Sequence, residues 1–311
     1  MLDKFPVIQS TLREIASDNR SGAAEILTRA VNLFSLLRET HIKQDARNAV
    51  IRLCAELIKA QPYMAPLAGL ANAVTGVVIN PTESNDMLGE SEKAAKEFVE
   101  NAQRASYLAS CIAAQLIGDG STVLTHSRSS TVLTAFLEAN RAGLEFHVIS
   151  TESRPVMEGR ALAESLAREK INVTLIADSA AAAVMDKIDF ILTGADKLTP
   201  DWLINKIGTR MIALSARERG LPVYAICDSS KFTNSARSLP DEHHNPNELW
   251  SETPEGVVVL NLYFEPTPLN YFTRIISEEG SLTIEEASKR AGDKFLHAEL
   301  LSVLQMLELA G

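Results

Sequence analysis

The periodicity of this chain changes once, near Ser121, and that change limits the fold more than any motif does. Before it, apolar residues recur at spacings of three and four: Ile26, Ala30, Leu33, Leu36 and Leu37, then Val50, Leu53, Leu57 and Ile58. That is the stripe of an amphipathic helix. Leu67 to Val78 is a third helix, rich in small apolar residues. A fourth runs from Ser91 to Leu116, with Ala94, Phe98, Ala102, Ala105, Leu108, Ile112 and Ala113 on one face and Gly118 and Gly120 ending it. The expectation is a helical domain over residues 1–117.

After Ser121 the chain alternates short β-branched or aliphatic runs with segments long enough for crossover helices. The runs are Ser121 to His126, Glu145 to Ser150, Asn172 to Ala177, Asp189 to Thr193, Pro222 to Cys227 and Gly256 to Leu260. The helices between them are Thr131 to Ala142, Gly159 to Glu169, Ala180 to Lys187 and Gly208 to Glu218. Such alternation predicts an α/β domain over 118–311, with a mostly parallel sheet covered on both faces. Asn234 to Thr253 reads as a polar loop and Thr283 to Ala310 as a C-terminal helix, placed to pack on the sheet or across a dimer interface.

Composition removes several function classes. The net charge of -10 argues against a nucleic-acid surface, which concentrates Lys and Arg. An acidic total still permits a local basic pocket. No run approaches the roughly 18 apolar residues of a membrane helix, and no basic-then-apolar leader opens the chain, so the expected location is the cytoplasm. Cys54, Cys111 and Cys227 are far apart in apolar segments and read as reduced core thiols.

In a parallel sheet the carboxyl ends of the strands converge on one edge, and ligands bind there. The predicted strands end in Leu124-Thr125-His126-Ser127-Arg128-Ser129-Ser130, Glu152-Ser153-Arg154-Pro155, Asp178-Ser179, Gly194-Ala195-Asp196-Lys197 and Asp228-Ser229-Ser230-Lys231. Arg154, Lys206 and Lys231 would make that edge positive, and Ser127, Ser129, Ser130 and Thr209 would add donors, a mixture suited to phosphate. The plain alternative is solvated surface cations. Asp196 follows the apolar Phe190-Ile191-Leu192, where desolvation would raise its pKa toward general acid/base work; its plain alternative is a helix cap or a pair with Lys197.

Other features carry less. His126 and Ser127 are strand neighbours and point to opposite faces, which favours a turn-shaping hydrogen bond for His126 over catalysis. Asp241, Glu242, His243, His244 and Glu248 contain metal-ligating types, but adjacent histidines in a polar loop read as solvated, and no metal is expected. Gly118-Asp119-Gly120-Ser121 precedes its strand and lacks a dinucleotide fingerprint, and there is no P-loop. No cofactor is expected.

Thr125-His126-Ser127, Glu152-Ser153-Arg154-Pro155, Gly194-Ala195-Asp196-Lys197, Asn205-Lys206-Ile207-Gly208-Thr209 and Ser230-Lys231-Phe232, in that order, resemble the superfamily of methylthioribose-1-phosphate isomerase, ribose-1,5-bisphosphate isomerase and the regulatory subunits of eukaryotic translation initiation factor 2B. The resemblance extends from about Arg20 to Gly280. It implies a helical N-terminal domain on a Rossmann-like domain, assembled as a homodimer or from dimers. The isomerases turn an aldose 1-phosphate into a ketose 1-phosphate with a Cys and an Asp.

By position the Asp is Asp196, and the Cys position is Ser127. A thiol titrates at about 8.5, whereas an unassisted serine hydroxyl is far too weak an acid for that role. Thr-His-Ser, Glu-Ser-Arg-Pro and Ser-Lys-Phe follow the initiation-factor branch. The resemblance also places a phosphate-binding turn at Arg20, Gly22 and Ala23, altered here because Ser21 separates Arg20 from Gly22.

The expectation is therefore an initiation factor 2B-like protein binding a sugar phosphate or nucleoside monophosphate, with catalysis reduced or altered. The alternative is an aldose-ketose isomerase acting on a ribose 1-phosphate derivative. Asp196 and Ser127 are the catalytic candidates. The ligand set is Arg20, Gly22, Ala23, Arg128, Ser129, Arg154, Asn205, Lys206 and Lys231.

Overall fold

The central strand segments after Ser121, such as Val123-Leu124 and Phe190-Ile191-Leu192, are apolar at consecutive positions, so both of their faces must be buried. A computed structural model, describing residues 2–18, 21–42, 45–80, 86–234 and 244–309, shows how. Strands β1 (Thr122–Thr125), β2 (His147–Thr151), β3 (Asn172–Ile176), β4 (Phe190–Thr193), β7 (Val223–Ile226), β9 (Arg274–Ser277) and β10 (Gly280–Leu282) form one sheet in the order β10-β9-β7-β4-β1-β2-β3. All neighbours pair in parallel except β9 and β10. Val123, Val148, Phe190, Leu192, Ile226 and Ile276 face one core, while Leu124, Ile149, Ile191, Ala225 and Ile275 face another.

Helices α6 (Ser130–Arg141) and α7 (Glu158–Arg168) contribute Phe136, Leu162 and Leu166 to the first core. The second takes Ile212 and Ala216 from α8 (Thr209–Glu218), with Ala287 and Ala291 from α9 (Ile284–Gly292). The order runs outward from β1 to β3 and returns to β4 beside β1, so the topological switch lies between β1 and β4. A second, antiparallel sheet joins β5 (Lys197–Leu198), β6 (Trp202–Lys206) and β8 (Phe264–Pro268).

The helical segment comprises α1 (Pro6–Ser17), α2 (Ala23–Glu39), α3 (Ala46–Ala60), α4 (Ala65–Ile79) and α5 (Met87–Ala114). Two compact units result: residues 1–104 with 294–311, and residues 105–293. The boundary thus falls inside α5 rather than at residue 117. The chain after Lys294 belongs with the helices because Leu300, Leu304 and Leu307 of α10 (Ala298–Leu309) enter their core.

Four expectations need correction. Gly256 to Leu260 joins no ladder, and Val258 is 92% exposed; the sheet position beside β7 goes to β9, whose Ile275 and Ile276 are fully buried. Asp178–Lys187 winds as a 3₁₀ helix, not an α-helix, with Ala181 and Met185 as its buried residues. The C-terminal helix breaks at Asp293, where Asn72 holds the connection through its bonds to the Phe295 carbonyl and the His297 amide. On α5 the buried face is Ala95, Val99, Ala102, Ala109 and Ala113, leaving Leu108 exposed. Cys54 and Cys227 are buried thiols, with Cys54 pushed up to about 12 by desolvation, while Cys111 is partly exposed. No described helix is long and apolar enough to cross a membrane.

Candidate functional site

Each element of the site begins where a parallel strand stops hydrogen bonding and turns. After β1, His126 is buried; its Nδ1 is 2.6 Å from the Thr151 hydroxyl and its Nε2 2.8 Å from the Ile207 carbonyl. A carbonyl only accepts, so Nε2 carries the proton and Nδ1 accepts from Thr151. Desolvation lowers the pKa of His126, which keeps it neutral. The ring pins the ends of β1 and β2 to the turn before α8.

Ser127 leaves the strand with φ +68°, in the left-handed region. Its N–H donates to Ser153 Oγ at 2.8 Å, and its hydroxyl donates to Glu158 Oε1 at 3.2 Å. Ser129 caps α6 by accepting from the Val132 amide at 3.4 Å. Gly194, after β4, must be glycine, since a Cβ there would lie 2.5 Å from Ser129 Oγ. The two strands flanking the switch point meet in this contact.

Arg154 is positioned through its backbone. The Asp178 carboxylate accepts the amides of Ser153 and Arg154, each at 2.7 Å, and so fixes the turn after β2. The guanidinium is half-buried and makes no ion pair among the described residues. Arg128 is exposed and likewise makes none.

Asp196 opens β5, its amide bonded to the Ile204 carbonyl at 2.9 Å. It neither caps a helix nor receives a side-chain hydrogen bond from the described residues. Desolvation raises its pKa, outweighing the lowering by Lys231 and Lys206. Asn205 is buried and donates to Thr193 and Thr209 at 2.9 and 3.0 Å. Lys206 is buried too, 2.7 Å from Glu158 Oε1 and 4.4 Å from the centre of the Tyr263 ring. Lys231 stands 3.9 Å from Asp228 Oδ2, which also accepts from Ser106 at 2.7 Å.

The structure therefore gathers Ser127, Ser129, Arg154, Asp196, Asn205, Lys206 and Lys231 along one sheet edge. Gly22 and Ala23 open α2 in the helical unit, Gly22 as its N-cap, and Arg20 lies outside the described residues. So do Asp241, Glu242 and His243; of that loop, His244 stacks on Tyr263 and Glu248 accepts from Tyr263 and Asn261.

Sequence reasoning missed Glu158, which joins Ser127 to Lys206, and gave no role to Glu265 of the Phe264-Glu265-Pro266-Thr267-Pro268 stretch, which resembles the family's closing motif. The Glu265 Oε1 accepts the amides of Gly208 and Arg210 at the start of α8. Glu158 lies four residues beyond Arg154, and only the fold of the intervening turn brings it back to Ser127. Glu265 fills the anion place at the α8 N-terminus, so that end of the helix already has its negative partner.

A family model described as the initiation factor 2 subunit family matches residues 12–284. A putative translation initiation factor eIF-2B subunit 2-like protein of Pyrococcus furiosus is 32% identical over 273 residues, 86% of this chain and 94% of that one. The ribose 1,5-bisphosphate isomerase of Archaeoglobus fulgidus is 34% identical over 283 residues, 88% and 89% of the two chains. The crystal structure of the Pyrococcus horikoshii translation initiation factor eIF-2B matches with a TM-score of 0.78 at 29% identity, covering 89% of this chain and 97% of that one.

Proposed function

Since this chain belongs to the initiation factor 2 subunit family, we propose that its sheet edge binds a sugar phosphate or nucleoside monophosphate, with catalysis reduced or altered by Ser127. Arg154, Arg128 and Lys231 face the phosphate, the Ser129 hydroxyl adds a donor, Asn205 supports the edge through Thr193 and Thr209, and Asp196 takes a sugar hydroxyl. The assembly is a homodimer or is built from dimers, working in the cytoplasm.

One observation carries the proposal. The Asp196 carboxyl is desolvated, receives no side-chain hydrogen bond from the described residues, and is under the influence of two lysines. A structural carboxylate would be hydrogen-bonded; this one is kept available.

The serine separates binding from turnover. A C1 phosphate blocks ring opening until an acid protonates the ring oxygen, and Ser127, with its proton committed to Glu158, is a poor acid. The raised pKa of Asp196 favours a second reading, an aldose-ketose isomerase acting on a ribose 1-phosphate derivative with Asp196 as acid/base.

A thermal-shift panel of ribose 1,5-bisphosphate, methylthioribose 1-phosphate, hexose phosphates and nucleoside monophosphates, followed by NMR of each stabilising ligand, divides the two. Stabilisation without turnover is expected. Turnover abolished by Asp196→Asn would establish the isomerase, and no stabilisation by any of these anions would refute both.

A further inference from the structure

The two lysines of the site differ in how their charge is used. Lys231 is 3.9 Å from a carboxylate that also accepts from Ser106 and Ser230. The Lys206 side chain is 5% exposed, lies over Tyr263, and holds Glu158 Oε1 at 2.7 Å. Its ammonium is committed inside the protein. Glu158 in turn accepts the Ser127 hydroxyl on that same oxygen, while its buried Oε2 has no hydrogen-bond partner among the described residues.

From this asymmetry we propose that Glu158 is the specificity-determining residue of the pocket: a built-in carboxylate that takes the anion position at Lys206, so that this end accepts an uncharged hydroxyl and rejects a phosphate. The inference rests on the sugar-phosphate reading above, with the ligand's phosphate at Arg154 and Lys231.

The physical reason is charge balance. A phosphate brought to Lys206 would either displace Glu158, leaving a partly buried carboxylate without its cation, or lie beside it and meet like charge where screening is weak. A hydroxyl meets neither cost. It brings no charge to set against the Glu158 carboxylate, whose Oε1 already holds Lys206 and Ser127. The Ser127 hydroxyl, already turned toward Oε1, belongs to this neutral end. The ligand class is thus a singly phosphorylated polyol, preferred over its bisphosphate.

Isothermal titration of ribose 5-phosphate and ribose 1,5-bisphosphate into the full chain tests this, with Glu158→Gln and Ser127→Ala beside the wild type. The wild type is expected to bind the monophosphate at least as tightly as the bisphosphate. In E158Q, Lys206 is released, and bisphosphate affinity should rise about tenfold or more, the worth of one charge-assisted contact. Monophosphate affinity should move less than about threefold, within the spread of a neutral contact. S127A keeps the Lys206–Glu158 pair, so it should not show the rise in bisphosphate affinity expected of E158Q. Glu158→Ala repeats the experiment if the Gln variant folds poorly.

An unaltered ratio in the Glu158 variants, or a wild type preferring the bisphosphate by about tenfold, overturns the proposal while leaving the phosphate site standing. Binding of neither ligand by any variant overturns the site reading and this inference together.

Discussion

Two carboxylates, one in each unit, are treated in opposite ways. Glu92 on α5 is surrounded by donors: Ser35 at 2.8 Å, Arg38 at 3.0 Å and Lys96 at 2.6 Å. The bonds from Lys96 and Ser35 bring its pKa down to about 2. Asp196 has no such donor among the described residues, and desolvation pushes its pKa the other way. Complete satisfaction marks a group that holds the fold; a desolvated, unsatisfied one among cations marks a group reserved for a ligand. Glu158 lies between these cases, with one oxygen used twice and the other unused.

The largest effect should come from the site's scaffold. A Cβ on Gly159 would lie 1.8 Å from the Thr151 carbonyl, so Gly159→Ala must push α7 away from β2. Urea unfolding should show a loss of about 3 kcal/mol or more, at the upper end of overpacking costs. A loss below about 0.5 kcal/mol would mean that α7 is free to shift.

Next comes the satisfied carboxylate. Glu92→Gln should cost about 1–2 kcal/mol at neutral pH, moderated because Arg38 and Lys96 stay half exposed. The folded pKa of Glu92 lies below its unfolded value, so its contribution is complete above about pH 4.5 and disappears as pH falls toward about 2. Acid titration of stability in wild type and variant should converge over that window; parallel curves would count against the assignment.

Asp196→Asn sharpens the contrast because its sign is reversed. Its folded pKa is raised, so its contribution is present below the unfolded value of about 3.9 and is lost as pH rises through the folded value. At neutral pH the variant should be as stable as wild type or more so, by up to about 1 kcal/mol, yet bind sugar phosphate at least about tenfold more weakly. Lower stability with intact binding would make Asp196 another Glu92. The smallest stability effect is expected at Ser127→Ala, within about 1 kcal/mol, because a single 3.2 Å hydrogen bond is lost.

The sequence exposed the parts of the fold that rest on periodicity. Strand and helix alternation from Ser121 placed β1, β2, β3, β4 and β7 to within a few residues, because the buried strands β1, β2, β4 and β7 are largely apolar and the exposed edge strand β3 carries the β-prone Val-Thr-Leu-Ile. It failed where tertiary pairing decides. Gly256 to Leu260 has the better strand composition, but β9 takes the ladder. Lys197–Leu198 and Trp202–Lys206 are too short and mixed to read as a hairpin, although that hairpin orients Asp196, Asn205 and Lys206.

In the site, motif order revealed which residues share an edge, since strand ends in a parallel sheet converge. It did not reveal partners. Asp178 holding the Arg154 backbone, Glu158 joining Ser127 to Lys206 and Tyr263 under Lys206 depend on turns whose course no local pattern encodes.

If this edge is a phosphate site built around Arg154, which makes no ion pair among the described residues, one titration shows it. Ribose 5-phosphate is titrated calorimetrically into the wild type and Arg154→Ala at low ionic strength. The account predicts saturable binding by the wild type and a loss of about tenfold or more in the variant, with the melting temperature retained. Equal binding by both proteins, or none by either, would contradict it.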